Sequence, residues 1–413
     1  MPKRLSIKVN FAWMLAGNGC WALCQWIVLS AMTKTASVET VGIFGLAVAV
    51  CAPVFTLGNL GLRNVQATDT RASYPFQTYL ILRTITTATA LVLLFAGTLF
   101  FATEQETMIA ILFVALARSF ESMSDITFGR LQQQERMDWI GQSLVLRGVA
   151  QAAVFLTATI QTGTIAMGLA GMAAVSLIMF IAFDLRRTMR ISQDHHKEHT
   201  ETKTDNHRVL QLCYLSLPLG VVALLDSLTA TIPRYFLASR ETKEELGYYT
   251  ALAYLLLAGH TLVGALADSV RPRLASLYRT NRPAFRTMLI RLIAATITAG
   301  AVALVASHTH GEVALRVLYA DSFSSQAYLL PWIIAAGITW YASGFLYTAL
   351  TARHIFRAQA PVLAVSTVAT LIFGCILIPS NGALGATWSL LAGMAVRLTG
   401  YVYVYNTSSS EAL

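Results

Sequence analysis

Long apolar runs recur along the chain, at about 11–32, 39–62, 76–101, 107–129, 140–160 and 163–185. They resume at about 209–232, 246–270, 286–308, 324–351, 359–379 and 382–405. Each approaches or exceeds the roughly 20 apolar residues that carry a helix through a bilayer. The polar stretch from Arg186 to Arg208 parts the sixth run from the seventh; it contains Asp194-His-His-Lys-Glu-His-Thr-Glu-Thr-Lys-Thr-Asp205. The pattern predicts an all-α integral membrane protein of about twelve transmembrane helices. It places an N-terminal six-helix lobe at 1–185, a cytoplasmic linker at 186–208 and a C-terminal six-helix lobe at 209–413. The first run is too long for the apolar segment of a signal peptide and reads as a transmembrane helix.

Composition sharpens this. Of 413 residues, 55% are hydrophobic and 12% charged, against about 25% charged in a soluble domain. With a mean hydropathy of +0.58, a soluble enzyme and a disordered chain are both excluded. The net charge is +9, which in a soluble protein points to nucleic acid. With the N-terminus in the cytoplasm, however, 20 of the 30 Lys and Arg fall in cytoplasmic segments, five in external ones and five inside helices. Positive charge held on one side is a topology signal. It puts both termini in the cytoplasm and removes nucleic acid as a partner. Cys20, Cys24, Cys51, Cys213 and Cys375 lie in or beside apolar runs and read as small core residues, with no metal and no disulfide framework.

The halves resemble each other. The second run opens Val41-Gly-Ile-Phe44 and the eighth opens Leu246-Gly-Tyr-Tyr249, each after a short external loop. Six helices return the chain to its starting side, so a duplicated half keeps its orientation, with a site expected between parallel repeats. The longest external loop is expected at about 232–246, too small for the catalytic groups of a membrane glycosyltransferase or polymerase. No phosphate-binding loop of an ATPase is present. Transport by alternating access is the function these features favour.

Charges inside membrane helices are costly and usually face a cavity. Arg83, Arg118, Arg147, Arg291 and Arg397 are of this kind, with Glu121, Asp125, Asp226, Asp268 and His260. In the fourth run Arg118, Glu121, Ser122 and Asp125 share one helix face. That face reads either as a hydrated cavity wall or as an internal ion pair holding helices together. Guanidinium suits phosphate, because its planar donors grip two oxygens and it stays charged. A cluster of arginines therefore suits an anionic substrate, with Arg147 placed first for the anion and Arg83 and Arg397 next. Arg291 is shallower and reads better as a headgroup anchor. Asp226 and His260 are candidates for proton coupling. Asp268 reads as a local partner of Arg271, and Pro53, Pro218 and Pro331 as interruptions of helices.

The stretch Ala117-Arg-Ser-Phe-Glu-Ser-Met-Ser-Asp125, its continuation to Asp138, and Ser143-Leu-Val-Leu-Arg-Gly148 resemble bacterial polysaccharide flippases, the O-antigen and capsule repeat-unit exporters of the multidrug/oligosaccharidyl-lipid/polysaccharide (MOP) superfamily. So do Leu215-Ser-Leu-Pro-Leu-Gly220, Ile232-Pro-Arg-Tyr-Phe236, Ala265-Leu-Ala-Asp-Ser269 and Asn381-Gly-Ala-Leu-Gly-Ala-Thr387. The resemblance implies a V-shaped bundle like that of the multidrug and toxin extrusion (MATE) transporters, in the bacterial inner membrane. It implies export of an undecaprenyl-pyrophosphate-linked oligosaccharide to the periplasmic leaflet, coupled to H+ or Na+, with no other cofactor. Partners would be the bilayer, that lipid and other membrane proteins of polysaccharide assembly. By that resemblance Arg118, Glu121 and Asp125 become cavity-helix residues and Arg147 the arginine of the Leu-Arg-Gly segment; taken with the reading of the intramembrane charges, Arg118, Arg147, Arg83, Arg397 and Arg291 form the candidate cationic site. Alternatives are a drug/cation antiporter, a peptidoglycan-precursor flippase, or a membrane polymerase or ligase.

Overall fold

The computed structural model describes residues 7–69, 73–101, 104–195, 206–353, 355 and 357–408. Lys3, Arg4, Arg71, Lys197 and Lys203 of the charge count lie outside them, as does 196–205 of the linker. Among the described residues every regular element is helical. The first half comprises α1 (Ile7–Thr35), α2 (Val38–Asn59), the short α3 (Leu62–Thr68), α4 (Phe76–Phe101), α5 (Gln105–Gln133), α6 (Met137–Thr162) and α7 (Ile165–Ile178). A π-helical turn, Met179–Leu185, joins α7 to α8 (Arg186–His195). The second half comprises α9 (Asn206–Arg240), α10 (Lys243–Thr280), α11 (Arg282–Leu318), a 3-10 segment (Asp321–Leu329), α12 (Leu330–Ala352) and α13 (Gln359–Thr407).

Among the described residues, eleven helical stretches are long and apolar enough to cross a membrane. The twelfth crossing lies inside α13. Its 49 residues, at about 1.5 Å per residue, far exceed one hydrocarbon core. The helix breaks at Gly382, with φ 51° and ψ −129°, a backbone region essentially reserved for glycine. Pro379 weakens the preceding turn. The second arm then begins with the Ala383 N–H donating to the Glu245 carboxylate at 3.0 Å, an acidic cap at the positive end of a helix. The twelve-helix reading therefore holds, with the last two spans joined by a bend instead of a loop. Gly382→Ala is expected to cost about 1–3 kcal/mol, read as a lower melting temperature of the solubilised protein.

Several helices outrun their apolar patterns. The loop expected at 232–246 shrinks to Glu241 and Thr242, because polar residues at both ends continue α9 and α10. Pro331 sits in the first turn of α12 and starts that helix instead of interrupting it. Of the five cysteines expected in the core, Cys24 and Cys51 are buried, but Cys375 is exposed, on a helix face that also exposes Val368, Ile372 and Ile376. Such apolar outer faces suit lipid.

The chain groups into two compact units. One holds Met1–Val28 and Ala47–Ser227; the other holds Leu29–Leu46 and Leu228–Leu413. The chain passes from one to the other inside α1, α2 and α9. In the first unit Leu60, Leu62, Tyr79, Leu82, Ile126 and Leu212 form a core. In the second, Leu274, Phe285, Leu289, Phe345, Leu350 and Tyr401 belong to another. The α2–α3 stretch is mostly buried, whereas α11 is nearly bare.

The two hairpins α1–α2 and α9–α10 are built alike. Their first helices end at Thr35 and Arg240, and their second begin at Val38 and Lys243. Ser37 Oγ accepts from the Thr40 N–H at 3.2 Å, and Thr242 Oγ1 accepts from the Glu245 N–H at 3.3 Å. Each is a side-chain cap on an otherwise orphaned donor. All these pairs stand 205 positions apart, as Val38 does from Lys243, and so do the glycines Gly42 and Gly247.

Candidate functional site: a cationic cluster along α5

The polar face of α5 is where the first unit concentrates its charge. α5 places Arg118, Glu121, Ser122, Ser124 and Asp125 within about two turns. Three ionic groups are organised along it.

The first is local. Arg118 Nη1 donates to Glu121 Oε2 at 3.0 Å, and both side chains keep contact with the surface, at 39% and 17% exposure. Gln151 on α6 donates to the other Glu121 oxygen at 3.2 Å and to Ser176 Oγ at 2.7 Å, and it accepts from Gln25 at 3.0 Å.

The second group gathers on Asp125. Arg83 of α4 donates from Nη2 to Asp125 Oδ2 at 3.1 Å, and Arg63 of α3 reaches Oδ1 at 3.4 Å. Arg83 also donates to Asn59 Oδ1, which in turn accepts from Ser122 Oγ at 2.8 Å. The chain reverses between α2 and α3 through Leu60 (φ 50°) and Gly61 (φ 60°). Two consecutive left-handed residues form a sharp corner, and Leu60 holds its conformation without a glycine's freedom, anchored by burial. That corner aims Asn59 and Arg63 at the same carboxylate. Arg83 is wholly buried, whereas Arg63 is a quarter exposed. The longer contact and greater exposure make Arg63 the looser of the two partners.

The third group is dry. Arg147 of α6 donates to Asp184 Oδ2 at 2.5 Å and to Ser124 Oγ at 2.6 Å, and Ser143 Oγ donates to the other Asp184 oxygen at 2.6 Å. Both charged side chains are at most 2% exposed. Asp184 belongs to the π-helical turn, whose wider winding changes the angular register of the residues that follow. Asp184 was not among the expected site residues, and Arg147 was placed first for an anion; in the structure the Arg147 guanidinium has a buried carboxylate of its own.

Four arginines thus share three carboxylates along α5, and the surplus positive charge sits at Asp125, which is shared by Arg63 and Arg83. Arg63 had been read only as a topology marker. The other expected residues lie elsewhere. Arg397 is buried in α13 of the second unit, with its guanidinium 5.7 Å from the Tyr401 ring centre. His260 of α10 stacks on Trp340, with centroids 4.3 Å apart. Asp226 is half-buried on α9 in the first unit. Arg291 is exposed on the bare helix α11. Arg291→Lys is therefore expected to leave both expression and transport unchanged, since lysine snorkels equally well; membrane protein level and polysaccharide output check it. Asp268 and Arg271 pair at 2.5 Å, one turn apart.

A multi-pass helical membrane bundle with charge inside one unit is the class these features define. Within that class, residues 7–278 match the polysaccharide biosynthesis protein family, and the chain belongs to it. The capsular polysaccharide biosynthesis protein CapF of Staphylococcus aureus is 24% identical over 401 residues, covering 96% of this chain and 98% of its own. Among solved structures, the lipid II flippase MurJ in an inward closed conformation superposes with a TM-score of 0.76 at 11% identity, over 96% of this chain and 87% of its own. A mutant of the Vibrio cholerae MATE transporter VcmN gives 0.66 at 13% identity, over 97% and 96%. At these identities the structural likeness is one of fold, and that fold is the one shared by MurJ and the MATE transporters of the MOP superfamily.

Proposed function

We propose that the protein is a flippase for surface-polysaccharide assembly. It moves an undecaprenyl-pyrophosphate-linked oligosaccharide from the cytoplasmic to the periplasmic leaflet of the bacterial inner membrane, by ion-coupled alternating access. Both termini lie in the cytoplasm, and the chain works as a transporter instead of a polymerase or ligase. The family and the capsule-related relative support the pathway.

The observation that carries the substrate is the excess cation at Asp125. In the structure the carboxylate holds two guanidiniums. A pyrophosphate arriving there draws Arg63 away first, because that contact is the longer and more exposed, while Arg83 keeps Asp125 neutralised. Arg118, tied to Glu121, is a second guanidinium along the same helix. Arg397, Asp226 and His260 stay as candidates for further anion contacts and for coupling.

The test is genetic and chemical. A strain lacking this protein should lose its surface polysaccharide and accumulate the lipid-linked repeat unit in the cytoplasmic leaflet, and the native chain should reverse both. Loss of polysaccharide without the accumulated lipid intermediate would point to an earlier step and sink the flippase reading.

A further inference from the structure

Where α6 begins and α8 follows the π-helical turn, two arginines gather on one aromatic ring. Arg136, immediately before α6, holds its guanidinium 4.0 Å from the Trp139 ring centre, and Arg187 of α8 lies 5.0 Å from the same centre. The π-helical turn supplies Phe183, whose ring centre is 3.7 Å from the Arg187 guanidinium. Arg136 grips Asp138 side-on, from Nε and Nη2 at 2.9 Å each. Arg187 has no ion pair among the described residues. Its hydrogen bond there runs from Nη1 to Gln142 Oε1 at 2.9 Å, so most of its N–H groups remain for a ligand. Arg190 is exposed and, like Arg136, lies within electrostatic range of Arg187. The carboxylates in that range are Asp138 and Asp184, and Asp184 is committed to Arg147. Three guanidiniums therefore share Asp138.

Further along the same helices the surface turns apolar. Trp139, Gln142, Leu146 and Val149 recur at three- and four-residue spacing and so share one face of α6. Leu146 and Val149 are exposed on it. The bonds joining Gln142 to Arg187, Ser143 to Asp184 and Gln151 to Ser176 fix the antiparallel register of α6 against α7 and its π-helical continuation. That register sets Leu146 level with Ile181 and Val149 level with Ile178, and both isoleucines are exposed as well. A basic end with exposed apolar residues at matched levels beyond it fits the two parts of a phospholipid, an anionic headgroup and its acyl chains. Basic pockets between membrane helices hold such headgroups on the cytoplasmic side. A topology anchor needs only charge, and lysine would serve as well. Stacking on two rings and a forked donor are what guanidinium adds.

We propose that this end of α6 and α8 is a headgroup site for an anionic diacyl phospholipid of the surrounding bilayer. Arg187 and Arg190 take the phosphate, Arg136 and Trp139 form the fixed wall beside it, and the chains lie over Leu146, Val149, Ile178 and Ile181. The leaflet is the cytoplasmic one in the topology proposed above. The lipid stays in that leaflet, so the inference does not depend on what the protein transports.

The test titrates the delipidated full chain in detergent with dioleoyl phosphatidylglycerol or dioleoyl phosphatidylcholine and reads the lipid-bound fraction by native mass spectrometry. The native chain should bind the anionic lipid several-fold more tightly than the zwitterionic one. Arg187→Gln should lose that preference. Arg286→Gln, an equal loss of charge at an exposed position on α11, should keep it. Arg187→Lys preserves the charge and should still lose most of the preference; it decides the matter if the glutamine variant does not fold. Excess glycerol 3-phosphate, the headgroup chemistry without chains, should leave the lipid bound, and so should undecaprenyl pyrophosphate at equal concentration. Equal affinity for the two phospholipids in the native chain would overturn the proposal. So would an undiminished preference in Arg187→Lys, or a loss in Arg286→Gln as large as in Arg187→Gln, either of which reduces the effect to charge alone. Displacement by glycerol 3-phosphate would assign the site to a free phosphate, and displacement by undecaprenyl pyrophosphate would assign it to the carrier lipid; both contradict a resident phospholipid.

Discussion

Arg147→Ala is expected to remove the protein from the membrane, not merely to slow transport. The substitution would take the nearest cation from the Asp184 carboxylate in a site 1% exposed, leaving it the hydroxyls of Ser143 and Ser124 and the attraction of the Arg187 guanidinium. Breaking a buried pair by removing one member costs about 3–5 kcal/mol, because the remaining charge is uncompensated. Asp184→Ala should do equal damage from the other side by stranding Arg147. Replacing both with apolar residues of similar volume, Arg147→Met with Asp184→Leu, should recover much of the loss, since well-packed apolar side chains often substitute for buried ion pairs. Membrane level and melting temperature after solubilisation decide the matter. A stable, abundant Arg147→Ala protein that fails only in transport would return Arg147 to the substrate site.

Arg63→Gln is expected to do the reverse: full expression, unchanged melting temperature and loss of surface polysaccharide. Removing Arg63 leaves Asp125 with Arg83 at 3.1 Å, one charge of each sign, so the fold is not left with an uncompensated ion. The excess positive charge is gone, however, and with it the looser guanidinium. Hydrogen bonds to charged groups contribute about 1.5–3 kcal/mol each, so affinity for an anionic headgroup should fall about 10- to 100-fold. Asp125→Ala should behave otherwise. It leaves wholly buried Arg83 without its carboxylate and should destabilise the protein. The contrast between the two variants separates binding from folding, with melting temperature and polysaccharide output as the paired readouts.

Much of this was legible in the chain itself. The apolar runs marked the spans, because a membrane helix must be apolar over a fixed length. The face Arg118, Glu121, Ser122 and Asp125 followed from helical spacing alone. The matched openings at Val41-Gly42 and Leu246-Gly247 were visible as a repeat. Asp184 escaped because it ends an apolar run immediately before Arg186 and Arg187, where a carboxylate reads as their interfacial neighbour. The π-helical turn sets its direction, and no 3.6-residue periodicity anticipates that register. Arg63 escaped because charge counting treats every arginine near a span end as a topology marker. Its approach to Asp125 depends on the left-handed corner at Leu60 and Gly61, a local backbone event that apolar patterning does not report. The bend at Gly382 was signalled by Pro379 and the Asn381-Gly382 pair, while its cap, Glu245, comes from a helix more than a hundred residues earlier.

The central claim is that an excess guanidinium at Asp125 recognises the pyrophosphate of a lipid carrier. The most direct measurement is the equilibrium affinity of the purified, solubilised protein for undecaprenyl pyrophosphate, undecaprenyl phosphate and uncharged undecaprenol, in the native chain and in Arg63→Gln. The account predicts affinity that falls in that order in the native chain, and a preference for the pyrophosphate that is largely lost in Arg63→Gln at unchanged melting temperature. Equal affinity for undecaprenol and its pyrophosphate in the native chain, or an undiminished preference in Arg63→Gln, would contradict it.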